Sequence, residues 1–293
     1  MTLVVGATGR LGGQIAHRLL ADGRNVRVLV RPQSDYESLV QAGAEPIVGD
    51  LKDPASLRSA CEGIEAVITT ANAIGRGGDD TLQTVDDEGN QNLIHAAVQA
   101  GVERFIFTSV LGSDPSSPAP VLHAKGATEE RLRASGMTFT ITQADVHMDT
   151  WIPLVVDLPL SQGESVRLVG EGRRKHSFVA QQDVAAFTVA ALDHPAAKNS
   201  TIVIGGPEPL SWRDIVAAVE RELGRPIRLE TIPVGQRLPG IPDFVTDIMT
   251  ALEMYDTPLD MRETASTYGV APTPLATWVH ERFAGAAAEA RRA

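Results

Sequence analysis

The 293-residue chain is long enough for one large α/β domain, or for one domain and a smaller lobe, with a sizeable apolar core. Its formal charge of −11 excludes a general positive field for nucleic acid or anionic lipid, so any phosphate site must be local. Cys61 is the single cysteine, which excludes an internal disulfide and a thiolate metal cage and fits a reducing compartment.

No basic and apolar leader precedes the first predicted strand, and no run approaches about 18 uncharged apolar residues. The expectation is a cytoplasmic protein with neither a membrane nor a nucleic acid as partner. The chain opens on a short β-branched run, Leu3 to Val5, followed by GATGRLGG at 6–13. Leu11, Ile15, Leu19 and Leu20 then recur at three-to-four-residue spacing, so a strand is predicted to turn directly into an amphipathic helix. NVRVLVRP (25–32) and EPIVGD (45–50) read as the second and third strands, with a helix over 34–42 between them. EAVITTA (65–71) reads as the fourth strand, followed by a helix over 84–100 closed by Gly101. ERFIFTSV (103–110) is a nearly continuous apolar fifth strand, followed by a helix over 121–135 and a sixth strand, MTFTIT (137–142). Strands alternating with helices predict a parallel sheet covered on both faces, a doubly wound α/β fold.

From about Asp145 the rhythm changes. Pro153 and Pro159 interrupt it, and SVRLVGEGRRKHSFVA (165–180) reads as a hairpin about Gly170 and Gly172. A helix over 182–192 precedes TIVIGG (201–206), a strand expected to return to the main sheet. SWRDIVAAVERELG (211–224) is the cleanest late helix, with Ser211 as N-cap, Asp214 three residues on and Gly224 as stop. Its Ile215, Val216, Val219 and Leu223 form a purely structural stripe, and the tail over 285–293 is expected to fray. The predicted organisation is an α/β domain over 1–150, its sheet completed by 176–206, and a mainly C-terminal second lobe over 151–293.

Gly6, Gly9 and Gly12 form GxxGxxG between strand and helix. Side chains there would block the tight turn, the approach of backbone N–H groups to a diphosphate, and the packing of helix on strand. The helix N-terminus, with roughly half a positive charge, would face the anion. Dinucleotide binding is therefore expected, with Thr8 and Leu11 in the same turn. Binders of NAD usually place an acid at the end of the second strand; here that residue is Arg31, and Arg10 opens the first helix. Guanidinium groups match a 2′-phosphate in charge and fork geometry, which favours NADP(H) over NAD(H). Asp50, followed by Leu51 after the third strand, is placed either to accept from the adenine amino group or to act as a cap or turn residue.

The segments GATGRLG, VRVLVRP, GDLKDPASL, TTANA and HAKGATEERLRASGMTFTIT together resemble the atypical, extended short-chain dehydrogenase/reductases, in particular their NmrA-like NAD(P)-binding branch. SFVAQQDVAAFTVAALDHP and VIGGPEPLSWRDIV resemble the second half of that branch. The resemblance implies a Rossmann fold with a small C-terminal substrate lobe. It also implies a tyrosine four residues before a lysine on one helix, the tyrosine as acid or base and the lysine on the nicotinamide ribose. Here Lys125 matches, but Val121 stands at the tyrosine position. His123 lies two residues from Lys125, about 200° around the helix, and turns inward only if the helix begins after it. Lys125 is thus the expected catalytic and cofactor-binding residue. Ser109, ending the fifth strand, matches a serine that bonds a substrate oxygen, and also reads as a strand-terminating cap. Thr70, Ala71 and Asn72 are expected beside the nicotinamide ribose. Gln143 and Ala144 replace an arginine–proline pair of the branch, and Gln143, Asp145, His147 and Trp151 are the candidates for substrate contact.

The seven histidines show no HExxH spacing and GxSxG is absent, which argues against a metal site and a hydrolase elbow. The basic knot at Arg173, Arg174, Lys175 and His176 reads as a solvated turn, with steering of an anionic partner as the alternative. The resulting expectation is an NADP(H)-dependent oxidoreductase, monomer or homodimer, acting on a small carbonyl, enone or quinone. The alternatives are an NADP(H)-sensing regulator without turnover and a lyase or epimerase of the same fold.

Overall fold

The computed structural model describes residues 1–238, 241 and 243–290, the last six as backbone only. Two compact units emerge: one formed by residues 1–144, 182–204 and 267–270, the other by 145–181, 205–266 and the described residues from 271 onward.

The first unit alternates as its sequence pattern requires. Strands β1 (Thr2–Val5), β2 (Val26–Val30), β3 (Glu45–Val48), β4 (Ala66–Thr69), β5 (Arg104–Val110) and β6 (Thr138–Ala144) are separated by helices α1 (Arg10–Ala21), α2 (Glu37–Gln41), α3 (Pro54–Cys61), α4 (Glu88–Gln99) and α5 (Pro120–Arg133). The sheet is parallel throughout, in the order β3-β2-β1-β4-β5-β6-β8, with β8 at Ser200–Ile204. This is a Rossmann-like doubly wound fold. Strands β1 and β4 are buried along their whole length, as expected of central strands covered on both faces, whereas β3 is an exposed edge. Phe105, Phe107, Leu93, Leu132 and Ile141 lie in one continuous core.

Two local features went unread. Helix α3 carries Asp53 as N-cap, its carboxylate accepting from Ala55 N at 3.0 Å, with Pro54 at the first helical position. A π-helical turn over Leu82–Asp87, boxed by Thr81 and Thr84, precedes α4, which therefore begins later than the periodicity places it.

The second unit contains α6 (Met148–Ile152), α7 (Leu158–Ser161), β7 (Val166–Val169), α9 (Trp212–Leu223), β9 (Leu229–Ile232), α10 (Asp243–Leu252) and α12 (Leu275–Ala290); α8 (Gln181–Ala191) and α11 (Arg262–Tyr268) join the two units in sequence. The hairpin expected over 165–180 does not form. Gly170 and Gly172 do turn the chain, at φ +63° and +62°, but β7 pairs in parallel with the distant β9, Val166 opposite Leu229. Residues after the turn make isolated bridges and no strand, His176 with Leu210 and with Thr257, and Val179 with His147. A glycine turn bends the chain, but burial of β7 in the core chooses its partner. Helix α12 packs on α9 and continues through Ala290 where fraying was expected; residues 291–293 lie outside the described ones. Helix α9 has the expected capping box, with Gly224 left-handed at its end. Phe178 and Trp212 meet edge to face at 5.1 Å inside the second core. Among the described residues, no helix is long and apolar enough to cross a membrane.

The position of α5 depends on Gly126, where a Cβ would lie 2.4 Å from the backbone of both Asp114 and Pro115. Gly126→Ala is expected to cost about 1–3 kcal/mol in chemical denaturation, since backbone rather than a flexible side chain must move.

Candidate functional site

Four residues connect β1 to α1, and the turn is closed by its glycines. Gly6 has φ +86°, and Gly9 N donates to Gly6 O at 3.0 Å. A Cβ at Gly12 would lie 2.2 Å from Gly6 O and 2.8 Å from Thr70 Oγ1; one at Gly6 would lie 2.7 Å from Thr70 Oγ1. The helix start is thus pressed against β1 and the C-terminal end of β4, at the point where the sheet order departs in opposite directions. Thr8, Gly9 and Arg10 remain at the surface, and Leu11 is partly buried. Backbone amides presented at a helix N-terminus, with no side chain before them, suit a diphosphate.

A recess of about 40 Å³ continues from this turn across the ends of β2 and β3, lined by Gly6, Thr8, Leu29, Arg31, Asp50, Leu51 and Ala71, among others. Arg31 holds Asp80 there, Nη1 to Oδ2 at 2.6 Å, and Lys52 Nζ reaches the other oxygen at 2.5 Å. These contacts, the Lys52 bond foremost, hold the Asp80 carboxyl below the usual range and raise the Lys52 pKa. Asp50 accepts from Lys52 N at 2.8 Å, the turn role, while also lining the recess. Asn72 accepts from Ile74 N at 3.0 Å and so shapes the loop after β4.

Lys125 faces inward from α5 with 5% of its surface exposed. Its Nζ lies 4.9 Å from the centre of the Phe107 ring and 3.4 Å from Oδ1 of Asp86, itself 1% exposed. Asp86 Oδ2 accepts from Ala73 N at 2.8 Å, and its carbonyl accepts from Thr128 at 3.1 Å, so the carboxylate is fixed before the lysine meets it. The helix starts at Pro120, before His123, so the condition for an inward turn is not met and His123 is exposed on α5. Sterically it follows the helical spacing and does not turn inward beside Lys125.

One turn beyond Lys125, buried Glu129 collects two further candidates. Its Oε1 accepts from Ser109 Oγ at 2.6 Å and from Gln143 Nε2 at 2.8 Å, and Arg133 reaches Oε2 at 2.9 Å. Ser109 and Gln143, expected at the substrate, are therefore ligands of an internal carboxylate, because a buried charge must be bonded. Asp86 and Glu129 were both missed. Glu129 was readable from its four-residue spacing to Lys125, whereas nothing local in TVDDEGN distinguishes Asp86 from its neighbours.

In the second unit, Asp145 is likewise engaged: it accepts from Ser177 N at 2.7 Å and Thr257 Oγ1 at 2.8 Å, and burial raises its pKa. His147 Nδ1 lies 3.3 Å from Gln181 Nε2, and Trp151 packs against the second core.

Burial lowers the His147 pKa to about 4, against the opposing pull of Asp149. An unfolded histidine titrates near 6.5, so the unfolded chain binds more protons between these values and acid favours it. Stability from this group is full above about pH 6.5 and is lost as pH falls toward 4. Denaturation of His147→Gln against wild type between pH 7 and 4 should recover about 1–3 kcal/mol of acid-induced loss, while Asp145, present in both, cancels.

A family model described as the NmrA-like family matches residues 1–273. An NAD(P)H azoreductase of Xenophilus azovorans is 29% identical over 257 residues, 86% of each chain. The photosystem II assembly factor Ycf39 of Synechocystis sp. is 32% identical over 234 residues, 80% of this chain and 71% of that one. An NADPH-dependent quinone oxidoreductase of Escherichia coli, solved with NADPH, superposes with TM-score 0.79 at 21% identity, covering 97% of this chain and 100% of that one. The glycine turn and parallel sheet thus sit within a recognised lineage: the chain belongs to the NmrA-like family.

Proposed function

We propose that the protein is an NADP(H)-dependent reductase of flat, electron-poor acceptors: quinones, enones or azo compounds. The observation that carries this reading is the pairing, in one unit, of a glycine turn closed to side chains with a buried lysine on α5. The azoreductase and the quinone oxidoreductase, to which the chain is similar, support it. Gly6, Gly9 and Gly12, with the amides that follow them, would hold the diphosphate, and Arg31 the 2′-phosphate. Lys125, with Thr70, Ala71 and Asn72, would hold the nicotinamide ribose. The bound dinucleotide supplies a hydride.

The chain's own contribution is orientation and proton supply. Asp86 holds Lys125 in place, so its Nζ can orient a ribose hydroxyl and deliver a proton to the reduced acceptor. With Val121 where a tyrosine acid would stand, acceptors whose reduced form needs little help from a positioned acid fit best. Most of the rate then comes from holding the reactants together in a water-poor site. The second unit is assigned the selection of substrate.

A second reading, a nucleotide-binding assembly or regulatory protein without turnover, is favoured by Val121 together with the relationship to Ycf39. Steady NADPH oxidation with a panel of quinones and azo dyes supports the reductase; micromolar NADPH binding with no oxidation supports the second reading. Lys125→Met combined with Asp86→Asn, which leaves no buried charge unpaired, should lower kcat at least about 100-fold while NADPH affinity changes less than about tenfold. Unchanged turnover would remove Lys125 from the mechanism.

A further inference from the structure

The loop over 74–80, IGRGGDD, is exposed from Ile74 to Asp79, yet it tucks one carboxylate inward: the Asp80 side chain is 8% exposed. Three cations surround that carboxylate. Lys52 Nζ is on Oδ1 at 2.5 Å, Arg31 Nη1 on Oδ2 at 2.6 Å, and Arg76 Nη1 lies 3.7 Å from Oδ2. Asp80 and Arg76 also line the recess shared with Gly6 and Thr8 of the glycine turn. A guanidinium and an ammonium on separate oxygens of one anion, with a second guanidinium close by, is an arrangement suited to a tetrahedral, multiply charged oxyanion better than to a carboxylate.

The loop is lightly packed at its glycines. Gly75, Gly77 and Gly78 have φ of +76°, +76° and +62°, and a Cβ at any of them would meet nothing within 4 Å. These glycines therefore set the backbone path and hold no packing. Asp80 N bonds Gly77 O at a long 3.3 Å, whereas the downstream end is anchored by Thr84 Oγ1 on Asp79 O at 2.6 Å.

We propose that Arg31, Lys52 and Arg76 form the clamp for the 2′-phosphate of NADP(H), and that Asp80 is its internal stand-in, displaced when the phosphorylated cofactor binds. This rests on the cofactor assignment above and deepens it. A phosphate monoester carries about −1.5 to −2 and three acceptor oxygens, so it outcompetes a single carboxylate for three cations. Asp80 keeps the clamp ordered without cofactor, and it opposes binding of the 2′-phosphate only. A cofactor with a 2′-hydroxyl leaves the ion cluster undisturbed.

The test uses the full chain and two fragments that differ at the 2′ position, 2′,5′-ADP and 5′-AMP, titrated calorimetrically at low salt. Asp80→Asn and Asp80→Ser should each tighten 2′,5′-ADP about three- to tenfold, the range of one or two partly exposed ion pairs, and change 5′-AMP less than about twofold. Asp79→Asn makes the same change in net charge on the exposed neighbour and should leave both affinities within about twofold. Equal or weaker 2′,5′-ADP binding in both Asp80 variants overturns the stand-in role alone, as does an Asp79→Asn effect equal to that of Asp80→Asn. Failure of wild type and variants alike to bind NADPH or either fragment overturns the cofactor assignment as well.

Discussion

The structure depends on one close approach, that of helix α1 to the end of strand β1. At Gly12 the space for a Cβ is already filled by the carbonyl of Gly6, 2.2 Å away, and the next atoms outward belong to Thr70 at the end of β4. That approach brings the helix N-terminus down to the sheet at the switch point and leaves amide groups facing outward with no side chain before them. The remaining parts are placed relative to it: the ends of β2 and β3 carry Arg31 and Asp50 to one side, and the loop after β4 carries Thr70 to Asn72.

The second organising principle is that buried charge must be matched. Lys125 and Asp86 are both nearly inaccessible, and each is fixed by further contacts, Lys125 by the Phe107 ring and Asp86 by the Ala73 amide. Glu129 similarly draws Ser109, Gln143 and Arg133 around itself. Burying these groups without partners would cost several kcal/mol each, so the network is either complete or ruinous. A side chain that looks like a substrate ligand by position becomes, in this setting, a partner of a carboxylate one helix turn away.

The periodic part of the chain was legible because strand and helix repeats differ and because glycine restrictions are local. Strands β1 to β6 and β8, the glycine turn and α9 with its cap all follow from residues within one or two turns of each other. The illegible part is non-local. The partner of β7 lies some sixty residues away at β9, and no turn residue encodes that choice. His123 and Lys125 were separable by helix geometry alone, but Asp86 meets Lys125 only through packing of the π-helical turn on α5. Asp80 is the clearest case: nothing in IGRGGDD sets it apart from Asp79, and only the fold brings Arg31 and Lys52 to join Arg76 at its carboxylate.

Calorimetric titration of the intact chain with NADPH and with NADH is the most direct measurement of the central assignment, that the turn at 6–12 grips a dinucleotide and that Arg31 selects its 2′-phosphate. The predicted result is one site per chain, with NADPH at least about tenfold tighter than NADH at low ionic strength and that preference shrinking as salt is added. Absence of binding heat with either nucleotide, or affinities that match within a factor of about two at every salt concentration, would contradict it.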